Sequence, residues 1–148
     1  MLGTLRPVPL TPDKIAQALP LARSLLPTLE LDAWSSFARR RIGGMPDSGI
    51  IGLQDQRGYF HGLLGYEVRD DLLGGRTLAI EWATSMELFG DADAATLLAR
   101  ELDAMATRLG CAGIEIRLKP EQRRLRRWLE REGLTLQSVV FEKKAAAD

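Results

Sequence analysis

Arg76–Leu109, RTLAIEWATSMELFGDADAATLLARELDAMATRL, reads as a strand that runs directly into a long amphipathic helix. Leu78, Ile80, Trp82 and Thr84 alternate with Ala79, Glu81, Ala83 and Ser85, the period of two that suits an extended segment. Beyond it, Ala94, Leu98, Leu102, Met105 and Leu109 recur at three- and four-residue steps, which places a helix over Ala94–Leu109. Asp91 or Asp93 can cap its first turn and Gly110 can end its last. A strand that delivers its end to a helix N-terminus presents backbone N–H groups to an anionic ligand.

Outward from this junction the chain alternates between sheet and helix signals. Leu5–Leu10 is apolar but broken by Pro7 and Pro9, which confines it to a sheet edge. Thr11 or Asp13 opens a helix with Ile15, Leu19, Ala22, Leu25 and Leu26 as its buried stripe, bent at Pro20 and closed by Pro27. Asp32 caps a second helix whose inner face is Trp34, Phe37, Ala38 and Ile42 and whose far end carries Arg39, Arg40 and Arg41. Ile50–Gln54 and Tyr59–Val68 form a hairpin, and the turn Asp70–Gly75 joins it to the Leu78 strand as a three-strand meander. Gly113–Leu118 is a strand expected parallel to the Leu78 strand through a right-handed crossover. Glu121–Glu132 is helical, with Leu125, Trp128 and Leu129 inside and Gly133 as its stop, and Leu136–Lys143 is the closing strand.

Composition bounds the classes of function. The chain has 148 residues and 45% hydrophobic content, so 1–148 reads as a single domain able to bury a core without metals or disulfides. Twenty basic and twenty acidic residues cancel, which argues against nucleic acid and anionic lipid as partners. Cys111 is the only cysteine and fits a reducing compartment. Met1–Leu10 lacks the pattern of a signal peptide and no apolar run approaches membrane-spanning length, so the expected location is cytoplasmic.

The order of an edge strand, two helices, a three-strand meander, a helix, a strand, a helix and a closing strand is similar to that of the GNAT superfamily of acyl-CoA-dependent N-acetyltransferases. The likeness spans nearly the whole chain. Arg127-Trp128-Leu129-Glu130-Arg131-Glu132-Gly133-Leu134 resembles the family's aromatic-Tyr-Glu-x-x-Gly-Phe ending, followed by Val140–Lys144 as the terminal strand. The implied fold is α+β, a mixed central sheet of six to seven strands with helices on both faces. The implied activity is direct transfer of an acetyl or other acyl group from acyl-CoA to the primary amine of a small molecule or peptide, with no metal. In two places the sequence departs from the family pattern. Aligned on Leu97 and Leu98, the pyrophosphate loop becomes Phe89-Gly90-Asp91-Ala92-Asp93-Ala94, in which Ala94 alone matches and two aspartates stand where phosphates would arrive. Leu129 occupies the position of the Tyr that protonates the leaving thiolate in many relatives, and Gln122 that of a frequent Asn.

The resemblance places a general base at Glu81, acting directly or through water, against the plainer reading of a strand carboxylate paired with Arg76, Arg69 or a cross-strand partner. It places the acyl-CoA along Trp82, Ala83, Thr84, Ser85 and Met86, with its phosphates over Phe89, Gly90, Asp91, Ala92, Asp93 and Ala94 and with Gln122 nearby. His61, the only histidine, is expected opposite Ser85 on the Glu81 face, where it and Trp34 are the candidate substrate contacts; a half-exposed strand histidine and a core tryptophan are the plainer readings. Glu115 is a second candidate base and Cys111 a packed side chain. Arg39–Arg41 and Arg123–Arg127 read first as solvated faces, the former with better odds of function because it precedes a loop. The alternative reading is an inactive GNAT-like binding or regulatory module, with a homodimer left open.

Overall fold

The computed structural model describes residues 5–73, 75–85, 91–134, 142, 143 and 145, and for residues 71, 85 and 91–95 the backbone alone. The elements in chain order are β1 (Arg6–Pro9), a 3-10 turn at Pro12–Lys14, α1 (Ile15–Leu25), α2 (Leu31–Gly43), β2 (Ser48–Gln54), β3 (Phe60–Asp71), β4 (Gly75–Ser85), α3 (Asp91–Arg108), β5 (Gly113–Ile116) and α4 (Arg123–Arg131). The sheet runs β1-β2-β3-β4-β5, antiparallel through β4 and parallel between β4 and β5. Five strands are present among the described residues, against the six to seven expected; the closing strand expected at Leu136–Lys143 lies outside them save for 142 and 143.

The local chemistry explains the element ends. β1 carries Pro7 and Pro9 and pairs with β2 alone, the edge position that a strand with missing donors requires. Gly110, at φ 68°, turns the chain out of α3 while the Cys111 N–H reaches the Ala106 carbonyl at 2.8 Å. Gly133, at φ 99°, does the same for α4, with Leu134 N–H bonded to the Leu129 carbonyl at 3.1 Å. The Thr11 hydroxyl is spent on Asp13 rather than on a backbone amide. Consequently α1 starts later than expected, and its buried face is Ile15, Ala18, Leu21 and Ala22, leaving Leu26 exposed.

Two apolar clusters sandwich the sheet. Leu64, Tyr66, Leu78, Ile80 and Ala83 pack with Leu98, Leu102 and Met105 of α3 and Leu125 and Leu129 of α4. On the other face Ile50, Phe60 and Leu63 pack with Ile15, Ala18 and Leu21 of α1 and Trp34 and Ala38 of α2. Helices therefore cover both faces, as the family resemblance implied.

Candidate active site

From Thr77 to Ile80, β4 has a neighbour on either side, with the parallel register running from Thr77 opposite Gly113 to Ile80 opposite Ile116. The last bond across to the β5 side joins the Arg117 N–H to the Ile80 carbonyl at 2.9 Å. β4 then continues to Ser85 along β3, while the chain after β5 turns away toward α4. Among the described residues the β4–β5 ladder ends at Ile80, and the edge of β4 beyond it, unpaired with β5, is the notch.

The antiparallel ladder slips at the same point. Tyr66 faces Ile80 and Gly65 faces Trp82, so Glu81 is the extra residue of a β-bulge. The bulge turns two consecutive side chains to the α2 face: Glu81 meets Arg41, and Trp82 meets Trp34 and Phe37 with ring centroids at 6.0 and 6.3 Å. Gly65 makes room for this, because a Cβ there would stand 2.5 Å from the indole Cε2 of Trp82. Ala83 returns to the α3–α4 face and is fully buried.

Side chains close the mouth of the notch. The Gln122 carboxamide donates from Nε2 to the Ala83 carbonyl at 2.7 Å and accepts the Lys119 N–H on Oε1 at 2.9 Å, so it stands in for a peptide group between the two segments. Lys119 Nζ donates to the Leu25 carbonyl at the end of α1. Ser24 gives its proton to the Leu21 carbonyl at 2.6 Å and accepts from the Thr84 hydroxyl at 2.7 Å. The end of α1, the tail of β4 and the segment before α4 are thereby tied together.

Charge concentrates on the α2 face of the bulge. Arg41 Nη2 donates to Glu81 Oε2 at 2.7 Å, with the two side chains 28% and 18% exposed. The Arg41 guanidinium also lies 5.1 Å over the Phe37 ring and 3.9 Å from Glu67. A hydrogen bond from Arg69 holds the Glu67 carboxyl below its ordinary value; burial opposes this, and the charges of Arg69 and Arg41 add to it. Glu81 Oε1 and Arg41 Nε are both buried and have no hydrogen-bond partner among the described residues. Buried polar atoms left in this state cost about 1–3 kcal/mol each, which marks a place where structure alone does not explain the chemistry.

No family model matches the sequence, and no curated protein matches it. Solved structures do. The chain is similar to the aminoglycoside N-acetyltransferase AAC(6')-Iy in complex with CoA, at 15% identity over 97% of this chain and 96% of that one, with a TM-score of 0.81. It is similar to the aminoglycoside 6'-N-acetyltransferase AAC(6')-Ih from Acinetobacter baumannii, at 15% identity over 97% and 100%, TM-score 0.78. A third likeness is to glucosamine-6-phosphate N-acetyltransferase from Arabidopsis thaliana, at 13% identity over 95% and 98%, TM-score 0.75. The chain has the GNAT fold.

Within this GNAT fold, Glu81, Trp82, Ala83, Thr84 and Gln122 come together at the bulge and notch. The backbone of Ser85 pairs with Gly62, and Asp91, Ala92, Asp93 and Ala94 form the first turn of α3. Met86, Phe89 and Gly90 lie outside the described residues. Trp34 is 2% exposed and donates its indole N–H to the Ile15 carbonyl at 2.7 Å, so it reaches the site through its contact with Trp82. His61 is displaced from its expected register: Gly62 stands opposite Ser85, and His61 is buried with Nε2 2.7 Å from Asp55 Oδ2. That bond holds the Asp55 carboxyl below its ordinary value, against burial and with help from the Tyr59 and Arg57 amides. The bulge at Glu81 causes the offset: the register from Asp71↔Gly75 to Tyr66↔Ile80, continued without it, would set His61 opposite Ser85. Glu115 is exposed on β5 opposite Ala79, and Cys111 packs against the α3–α4 core. Among the described residues no cluster of three or more His, Cys, Asp and Glu is placed to hold a metal, and no helix is long and apolar enough to cross a membrane.

The sequence singled out Arg41 only as one of Arg39–Arg41, and it left Lys119, Ser24 and the second role of Gln122 unmarked. For Arg41 a signal existed, since Trp34, Phe37, Ala38 and Arg41 continue one helical stripe at steps of three and four.

Proposed function

We propose that the protein transfers an acyl group from acyl-CoA to a primary amine, with Glu81 as the base. The observation that carries this reading is the coincidence, within four residues of β4, of a one-sided ladder and a bulge that aims a carboxylate at the α2 face. A strand edge opened for five residues offers unpaired backbone to a ligand that carries amides, and acyl-CoA is such a ligand. The Gln122 carboxamide, 2.7 Å from the Ala83 carbonyl, argues that an amide donor fits there.

In the proposed step the amine nitrogen forms a bond to the thioester carbon as the carbon–sulfur bond breaks. Glu81 Oε1 takes the proton that the amine loses, directly or through water. Backbone N–H groups at the end of β4, from Thr84 toward Met86, polarise the acyl oxygen, and the thiolate leaves to be protonated by solvent, since Leu129 has no proton to give. The acceptor meets the carboxylate from the α2 side. Oε1 is buried, so its entry requires the covering side chains to move. The neighbours that act on aminoglycosides and glucosamine-6-phosphate support a small-molecule amine as the acceptor class.

A second reading, a GNAT-fold binding or regulatory module without turnover, draws on Gln122 already occupying the Ala83 carbonyl and on the aspartates that open α3. One experiment separates the two. Acetyl-CoA at 100 times its Kd raises the stability of a binder by about 2.7 kcal/mol. Thiol release with a panel of primary amines then tests transfer, and Glu81→Gln lowers kcat by roughly 100-fold or more if Glu81 is the base. A thermal shift with no thiol release for any amine selects the binding module, and Glu81→Gln at the parent rate removes Glu81 from the chemistry.

A further inference from the structure

The ion pair that anchors Glu81 is built from a residue that the acyl-transfer reading does not use. Arg41 comes from the last turn of α2, forty positions from Glu81 in the chain, and lies on the same stripe as Trp34 and Phe37. Its guanidinium is fixed from three directions: the Phe37 ring beneath it at 5.1 Å, Glu67 at 3.9 Å, and Glu81 at 2.7 Å. Arg69 hydrogen-bonds Glu67 at 2.7 Å and so keeps that second carboxylate in place.

The contact between Arg41 and Glu81 uses one arm. Nη2 reaches Oε2, while Nε and Oε1, which would complete a two-armed fork, are both buried and unpartnered among the described residues. A purely structural arginine–carboxylate pair gains by closing the second arm, so the open one is the informative feature. It holds the carboxylate in one orientation and leaves the lone pairs of Oε1 uncommitted. The bulge supplies the rest, since without the extra residue strict alternation would turn Trp82 to the face of Leu78 and Ile80, away from Trp34 and Phe37.

We propose that Arg41 is the positioning residue for Glu81: it clamps Oε2 so that Oε1 faces the acceptor amine. The proposal rests on the acyl-transfer reading and adds to it a residue that touches neither substrate. Binding energy for acyl-CoA resides on the other side of β4, in the notch, so Arg41 affects turnover and leaves the affinity for the acyl donor alone.

The test is a kinetic cycle of Arg41→Gln, Arg41→Lys, Glu81→Gln and the double variant, using acetyl-CoA with the best amine of the panel and a melting temperature for each protein. Expected for Arg41→Gln is a kcat lower by roughly 10- to 100-fold, as misplacement of a reacting group by about 1 Å produces, with the KM for acetyl-CoA within about twofold of the parent. Arg41→Lys, which keeps a cation but not the planar fork, recovers part of the loss. In the Glu81→Gln background Arg41→Gln costs nothing more, because a residue that acts through Glu81 has nothing left to act on. The proposal is overturned if Arg41→Gln loses the same factor in both backgrounds, if it changes KM alone, or if Arg41→Gln turns over at the parent rate while Glu81→Gln is slow. Glu81→Gln at the parent rate, or no transfer to any amine, overturns the underlying acyl-transfer assignment and this proposal with it.

Discussion

The two halves of β4 are one continuous strand built for different ends. From Thr77 to Ile80 it is flanked by β3 and β5, and Leu78, Ala79 and Ile80 are all buried. From Glu81 to Ser85 it has a ladder on one side, a bulge, and polar contacts from Arg41, Ser24 and Gln122 that come from three other elements. The first half satisfies its backbone with neighbouring strands and its side chains with apolar packing. The second satisfies them with side chains that can let go. A fold needs the former, and a site that admits a ligand needs the latter.

Substitutions in the two halves should separate accordingly. Leu78→Ala, which empties a fully buried position between α3 and the sheet, is expected to lower unfolding free energy by about 2–5 kcal/mol while the acetyl-CoA-induced thermal shift survives; denaturant titration with and without acetyl-CoA measures both. A loss of the ligand response in proportion to stability would break the distinction. Gly65→Ala tests the junction. Its Cβ would meet the Trp82 ring at 2.5 Å, so it should cost about 1–3 kcal/mol and also slow turnover, because Trp82 and Glu81 share the bulge. Retained stability with unaltered kinetics would show that the bulge tolerates rearrangement.

The smallest effect is expected from acid. Glu67 is held below its ordinary value near 4.5 first by its hydrogen bond from Arg69. A depressed carboxylate contributes stability that is present above the unfolded value and disappears as pH falls through the folded one. Melting temperatures measured downward from about pH 5 should therefore decline less steeply for Glu67→Gln than for the parent, by a modest amount because the pair is partly exposed. Equal slopes would remove Glu67 from the charge network around Arg41.

The sequence announced the first half of β4 far better than the second. Alternation of Leu78 and Ile80, the apolar steps of α3 and the glycines at 110 and 133 are local signals, and the elements formed where those signals lay. Glu81 was legible as a carboxylate on a strand. Its partner was not, because a bulge shifts every later side chain by one position and nothing between Arg76 and Ser85 encodes it except a glycine on the neighbouring strand, Gly65. The same bulge misplaced His61, whose register against Ser85 it shifts by one residue. Arg41 stood out only with Arg39 and Arg40 because it is the third of three consecutive arginines, and only the stripe shared with Trp34 and Phe37 distinguishes it from its two solvated neighbours.

Gln122 gives the protein a tethered competitor. Any chain that seeks the Ala83 carbonyl with an amide of its own must first dislodge a carboxamide that is always present, always correctly aimed, and held at the Lys119 amide as well. One hydrogen bond is exchanged for another, so that contact adds little net affinity. What it does instead is keep a strand edge from remaining raw between visits, which guards the open half of β4 against pairing with a stray strand.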